Sequence, residues 1–220
     1  RPDAGAAAGV TGDRQAVLLA PLAESSVTPV LTGTGFERPN FDRQGLLWVN
    51  DSAGSLWVAR ADATWQQLDT SAIGEGTIDT FRLAPDGIRI ALVVARPSGE
   101  RVLGLARVDR TGGVAIAGWR ELSVSTTPVS PVSVVDVGWR TADSLLALVG
   151  ENRTTQVLAV AQDGSSIASI GPSSLADPVE LAVAPGVPPM VRTSAGEVWR
   201  YNSDFRWSQH LTGVSSVFYP

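Results

Sequence analysis

Apolar residues arrive along this chain in short runs, and the strongest of them, Ile90-Ala91-Leu92-Val93-Val94 and Leu145-Leu146-Ala147-Leu148-Val149, are apolar at consecutive rather than alternate positions. That pattern belongs to strands covered on both faces, since a half-buried strand alternates. Gly, Pro, Ser and Thr break the chain about every ten residues, and helix signals are nearly absent. The prediction is an all-β chain of many short strands.

The runs recur in a fixed grammar. In Leu83-Ala84-Pro85-Asp86-Gly87-Ile88-Arg89-Ile90 a strand ends, a Pro-Asp-Gly turn follows and an aliphatic strand begins. Equivalent turns occur at Arg1-Pro2-Asp3-Ala4, Phe41-Asp42-Arg43-Gln44-Gly45, Trp139-Arg140-Thr141-Ala142-Asp143 and Ala184-Pro185-Gly186. With Ala4, Gly45, Gly87, Asp143 and Gly186 as anchors, the spacings are 41, 42, 56 and 43 residues. A second strand follows each polar turn, for example Ser55-Leu56-Trp57-Val58 or Glu197-Val198-Trp199-Arg200, and a weaker third closes the unit, as at Trp207-Ser208-Gln209-His210-Leu211. A period near 42 with four strands per unit is that of a propeller blade. The first unit lacks its inner strand, and Val214-Ser215-Ser216-Val217-Phe218-Tyr219-Pro220 reads as an inner strand with nothing after it. The expectation is therefore a five-bladed β-propeller of four-stranded blades, its ring closed by the C-terminal strand pairing in the N-terminal blade, which removes a sheet edge.

Length and charge narrow the partners. At 220 residues one domain spanning residues 1–220 is expected, and the opening Arg1-Pro2-Asp3 is no signal peptide, so the chain reads as part of a longer protein. Net charge is −5, lysine is absent and the arginines are scattered, which argues against nucleic acid. Without cysteine there is no disulfide or thiolate site, and the single His210 leaves no partner for a multi-histidine metal centre. No apolar run reaches the ~20 residues that cross a bilayer.

A search for chemistry finds no nucleophile elbow, zinc-protease helix, phosphate-binding glycine loop or calcium loop. No catalytic residue, cofactor or metal is assigned, and the glycine pairs Gly33/Gly35 and Gly74/Gly76 read as turns. The one notable set is Glu37, Asp79, Asp136 and Glu180, which fall in successive inner strands with Arg38, Arg82 and Arg140, so a propeller directs them toward its channel. Converging carboxylates suit a cation or acid and base in sugar chemistry, whereas alternating acids and arginines suit a neutral, wet channel wall. The registers differ by a residue or two, which favours the second. Trp48, Trp57 and Trp199 lie in apolar strands as core, while Trp65, Trp119 and Trp207 sit nearer outer strands as a candidate recognition patch. The long spacing points to an insertion at 123–131, where Ser125, Thr126, Thr127, Pro128 and Pro131 are candidate partner-loop residues.

Three segments together carry a family likeness: Ala84-Pro85-Asp86-Gly87-Ile88-Arg89-Ile90-Ala91-Leu92-Val93, Val134-Val135-Asp136-Val137-Gly138-Trp139 with Ala142-Asp143-Ser144-Leu145-Leu146, and residues 214–220. Nearly the whole chain resembles the β-propeller domain of the LpqB family of actinobacterial lipoproteins. The resemblance implies an extracytoplasmic protein held to the cell membrane by a lipid anchor on the full-length chain, with a signal, a lipidated cysteine and a germination-type domain upstream. It also implies work beside an envelope-sensing two-component system, with the extracytoplasmic part of a sensor histidine kinase as partner, and supplies no catalytic residues. The leading expectation is a monomeric, non-catalytic protein-binding or scaffold module. The alternative is a glycosidase- or lactonase-like enzyme, which needs two unpaired channel carboxylates about 5 to 10 Å apart.

Overall fold

The computed structural model describes residues 6–21, 26–60, 64–124, 132–151, 154–171, 175–204 and 206–217. Five antiparallel sheets follow one another around a ring, a five-bladed β-propeller. The first holds β1 (Ala6–Val10), β2 (Ala16–Pro21) and β3 (Thr28–Thr32); the second β4 (Asn40–Phe41), β5 (Leu46–Asn50), β6 (Leu56–Arg60) and β7 (Gln66–Gln67). The third holds β8 (Thr77–Leu83), β9 (Arg89–Ala95), β10 (Arg101–Asp109) and β11 (Ala115–Leu122). The fourth runs β12 (Val132–Trp139), β13 (Ser144–Glu151), β14 (Thr154–Ala161) and β15 (Ile167–Ser169), and the fifth β16 (Pro178–Ala182), β17 (Met190–Thr193), β18 (Val198–Tyr201) and β19 (Trp207–Leu211). In the last four blades each strand pairs with the next in sequence, innermost first. Part of the long third repeat is spent in β10 and β11, which are longer than their counterparts in the second and fifth blades.

The doubly apolar strands do what their pattern requires. Ala91 and Val93 of β9 pack toward the fourth blade with Leu145, Ala147 and Val149, while Ile90, Leu92 and Val94 pack toward the second with Trp48, Leu56 and Val58. Leu146 and Leu148 turn the other way, onto Leu181 and Val191 of the fifth blade. The core is thus a set of seams between blades, each burying one face of two sheets.

Ring closure rests on the C-terminal segment. Val217 is buried with Ala182 and Val198, its N–H donates to Glu180 of the fifth blade at 2.9 Å, and its carbonyl accepts from Arg38, just ahead of β4, at 3.2 Å. These contacts set Val217 between the fifth blade and the segment just ahead of β4; among the described residues the first sheet holds β1, β2 and β3, and residues 212–217 form no strand paired with it. The expected pairing of residues 214–220 in the N-terminal blade also involves residues 218–220, which lie outside the described residues.

Candidate functional site

The inner strands share a bulge that decides where their side chains go. The register slips between Ile78 and Thr80 in β8, between Val134 and Asp136 in β12, and between Pro178 and Glu180 in β16. Asp79 is therefore the bulged residue itself, whereas Asp136 and Glu180 come one position after it. Since successive strand residues face opposite ways and a bulge re-aims its side chain, one position separates two environments.

Asp136 and Glu180 are buried. Asp136 accepts from the Arg82 guanidinium at 3.0 and 3.3 Å, from its neighbour's Val137 N–H at 2.8 Å and from the Leu181 N–H of the fifth blade at 2.9 Å. One carboxylate thereby ties three blades. Glu180 repeats the scheme one blade on: it pairs with Arg38 and with Arg192 (2.6 Å), and accepts from the Ser216 hydroxyl (3.2 Å) and the Val217 N–H. Arg82 also donates to the Thr80 hydroxyl, and the Trp139 indole donates to the Arg82 carbonyl at 2.9 Å. Three guanidinium groups, Arg38, Arg82 and Arg192, share two buried carboxylates. Burial first, and then the nearby Arg82 and Arg192, hold the Arg38 pKa below its ordinary value against the opposing pull of Asp136 and Glu37.

The other two acids are elsewhere. Glu37, partly exposed, reaches the exposed Arg14 of the first blade at 2.7 Å, and Asp79 pairs with Arg101 of β10 at 2.6 Å. Arg140 is exposed in the turn after β12, apart from the inner ring. So all four acids are matched to arginines, and only two meet in the buried ring. Among the described residues no group of three His, Cys, Asp or Glu comes together to hold a cation, and no helix is long and apolar enough to cross a membrane. His210 is exposed on β19. The loop candidates Ser125, Thr126, Thr127, Pro128 and Pro131 lie outside the described residues.

The tryptophans serve the seams. Trp65 donates to Val30 O of the first blade at 2.8 Å and Trp207 to Ile170 O of the fourth at 3.2 Å, while the Trp119 ring lies over Gly104, where a Cβ would come within 2.2 Å of it. Each of the three is half-buried rather than displayed. Three buried polar residues escaped sequence reasoning, Asp42, Asn50 and Thr193, and the first two join blades. Asp42 accepts from Trp48 Nε1, from the N–H groups of Gln44 and Leu46, and from Arg110 of the third blade at 2.6 Å. Asn50 donates its amide to the Ile78 and Asp79 carbonyls at the bulge. Asp42 sits in the repeated turn, and its equivalence to other turn positions hid its seam role.

A family model described as the lipoprotein LpqB β-propeller domain matches residues 1–220. The chain belongs to this LpqB propeller family. Among curated relatives it is 27% identical to lipoprotein LpqB of Cutibacterium acnes over 215 residues, covering 94% of this chain and 36% of the relative. It is 29% identical to lipoprotein LpqB of Streptomyces coelicolor over 189 residues, covering 82% of this chain and 30% of the relative. The chain thus spans about a third of the LpqB proteins it matches. Solved propellers share the fold alone: a Mycobacterium tuberculosis puromycin-hydrolyzing peptidase (TM-score 0.64, 13% identity, 99% of this chain and 39% of that one) and a chain of the nidogen/laminin complex (TM-score 0.64, 9% identity, 94% and 77%).

Proposed function

We propose that this LpqB-type propeller is a non-catalytic module of an extracytoplasmic, lipid-anchored envelope protein. In this reading it binds or positions a protein partner, the extracytoplasmic domain of a sensor histidine kinase in an envelope-sensing two-component system. The observation that carries the reading is the matching of every inner-strand carboxylate to an arginine. A general acid or nucleophile needs a carboxyl whose charge is free to change or attack, and Asp136 and Glu180 are instead committed to blade-to-blade hydrogen bonds. Their loss would loosen the ring as well as any chemistry, which supports a structural task for the channel and leaves the faces of the propeller for recognition.

The test is an equilibrium binding measurement between this propeller and the purified extracytoplasmic domain of the sensor kinase from the same genome. Micromolar or tighter association, kept in an Asp136→Asn variant that is still folded, supports the reading. No association, together with hydrolysis of a glycoside or lactone panel that Asp136→Asn abolishes, overturns it in favour of the enzyme alternative.

A further inference from the structure

The seam between the third and fourth blades changes character along its length. Leu103 and Leu105 of β10 carry its apolar part, packed with Ala91, Val93 and Leu122. Two residues further along β10 the same face presents Arg107, which stands directly opposite Arg89 of β9, while Arg120 of β11 stands opposite Leu105. Three arginines on three adjacent strands therefore share one face, where like charges set opposite one another are unfavourable unless something answers them. They border an open surface cleft of about 220 Å³, lined on its far side by Gln162 and Asp163 of the fourth blade. Room for it comes from a bulge in the β10–β11 ladder, where Gly118 takes φ +64 and leaves no side chain at the floor. Arg89 is largely spent: it stacks over Trp139 and pairs with Asp86, with Asp143 at 3.8 Å. Arg120 is held by the Gln162 and Asp163 carbonyls (2.8 Å to the latter), with the Asp163 carboxylate near enough to feel its charge, and Arg107, 63% exposed, pairs with Asp109 at 3.5 Å. Arg120 keeps N–H donors to spare, oriented by two carbonyls, and Arg107 adds a second available charge.

We propose that this cleft is an oxyanion site that takes a phosphoryl group. Arg107 and Arg120 offer the donors and Arg89, committed to Asp86, adds positive charge beside them, a setting that suits a multiply charged phosphoryl group better than a singly charged carboxylate. The volume suits one headgroup rather than a drug-sized molecule. Asp163 at the rim opposes the anion, its carboxylate being engaged by Ser165 at 2.9 Å. The site is independent of the protein-binding role above, and because the protein is anionic overall, with net charge −5, binding there owes nothing to its net charge. The phosphoryl group has two sources, free phosphate or a phospholipid headgroup, and two titrations separate them. Inorganic phosphate is titrated by calorimetry in chloride buffer, and phosphatidic acid in phosphatidylcholine vesicles is titrated by flotation, each with the wild type and with Arg107→Gln, Arg120→Gln and Asp163→Asn. The expected result is saturable binding in at least one arm, weakened about tenfold by either arginine variant at unchanged Tm, as the loss of a charge-assisted contact implies, and tightened by Asp163→Asn. Binding of phosphate alone identifies a soluble ligand, and binding only to vesicles identifies a headgroup. No saturable binding in either arm, or binding that the double arginine variant leaves unchanged, overturns the proposal.

Discussion

Asp136 and Glu180 on the inner strands of the fourth and fifth blades, and Asp79 on that of the third with Glu37 just ahead of that of the second, fall in the same stretch of the repeat and meet opposite fates. The first pair is buried, with side chains 8% and 3% exposed, and each accepts a main-chain N–H from the following blade. The second pair sits 33% and 27% exposed and serves a single arginine each. Asp79 differs from the buried acids by one position across a bulge, and Thr80 takes the place that Asp136 and Glu180 hold in their own blades. The lesson is that in a propeller a carboxylate acts as a fastener between blades only where the bulge delivers it to the next inner strand. One residue earlier it is an ordinary surface ion pair.

The sharpest way to break this comparison is at the closing seam. Removing residues 214–220 takes Val217 from its apolar contacts and both Ser216 and Val217 donors from Glu180. Thermal unfolding should then fall by roughly 10 °C or more, as the loss of several kcal/mol implies for a chain of this size, and an unchanged transition would show that closure does not depend on this segment. Glu180→Ala is expected to follow, costing on the order of 3 kcal/mol because Arg38 and Arg192 are left beside an empty partner site. Glu37→Ala, measured in the same denaturant titration, should cost under about 1 kcal/mol, the usual worth of an exposed pair. Equal losses for the two would erase the distinction drawn here.

Smaller effects sharpen it. A Cβ on Gly138 would lie 2.6 Å from Val183 Cβ, so the inner strands of the fourth and fifth blades approach this closely only with glycine there. Gly138→Ala should cost about 1–3 kcal/mol by overpacking, and Val183→Ala in the same chain should restore part of it. The turn acids give the weakest signal. Hydrogen bonds from the Thr111 N–H and side chain hold the Asp109 carboxyl below its ordinary pKa, and those from Ser71 do the same for Asp69. A depressed folded-state pKa means stability that is present above the unfolded value, about pH 4, and lost as pH falls through the folded value. Melting curves from pH 7 to pH 2 should show Asp109→Asn slightly less stable than wild type at neutral pH, with the gap closing in acid.

The sequence by itself determined the architecture, because a propeller's information is local and repeated. Turn chemistry at Pro85-Asp86-Gly87 and its equivalents, and strands apolar at every position such as 90–94 and 145–149, are set by residues next to one another, and the family match over residues 1–220 agrees. It also brought Asp79, Asp136 and Glu180 to inner strands, for the same reason, whereas Glu37 lies ahead of the two-residue β4. What it could not resolve was their register: a bulge shifts hydrogen-bond pairing by one residue without leaving a mark in composition, so only the tertiary structure separated Asp136 and Glu180 from Asp79. The same holds for the partners that lie far apart along the chain. Arg38 with Glu180, Arg110 with Asp42, and the arginine face formed by Arg89, Arg107 and Arg120 are products of how neighbouring blades and strands align. Local patterning decides which strands exist; which side chains meet across a seam is decided when five sheets close into one ring.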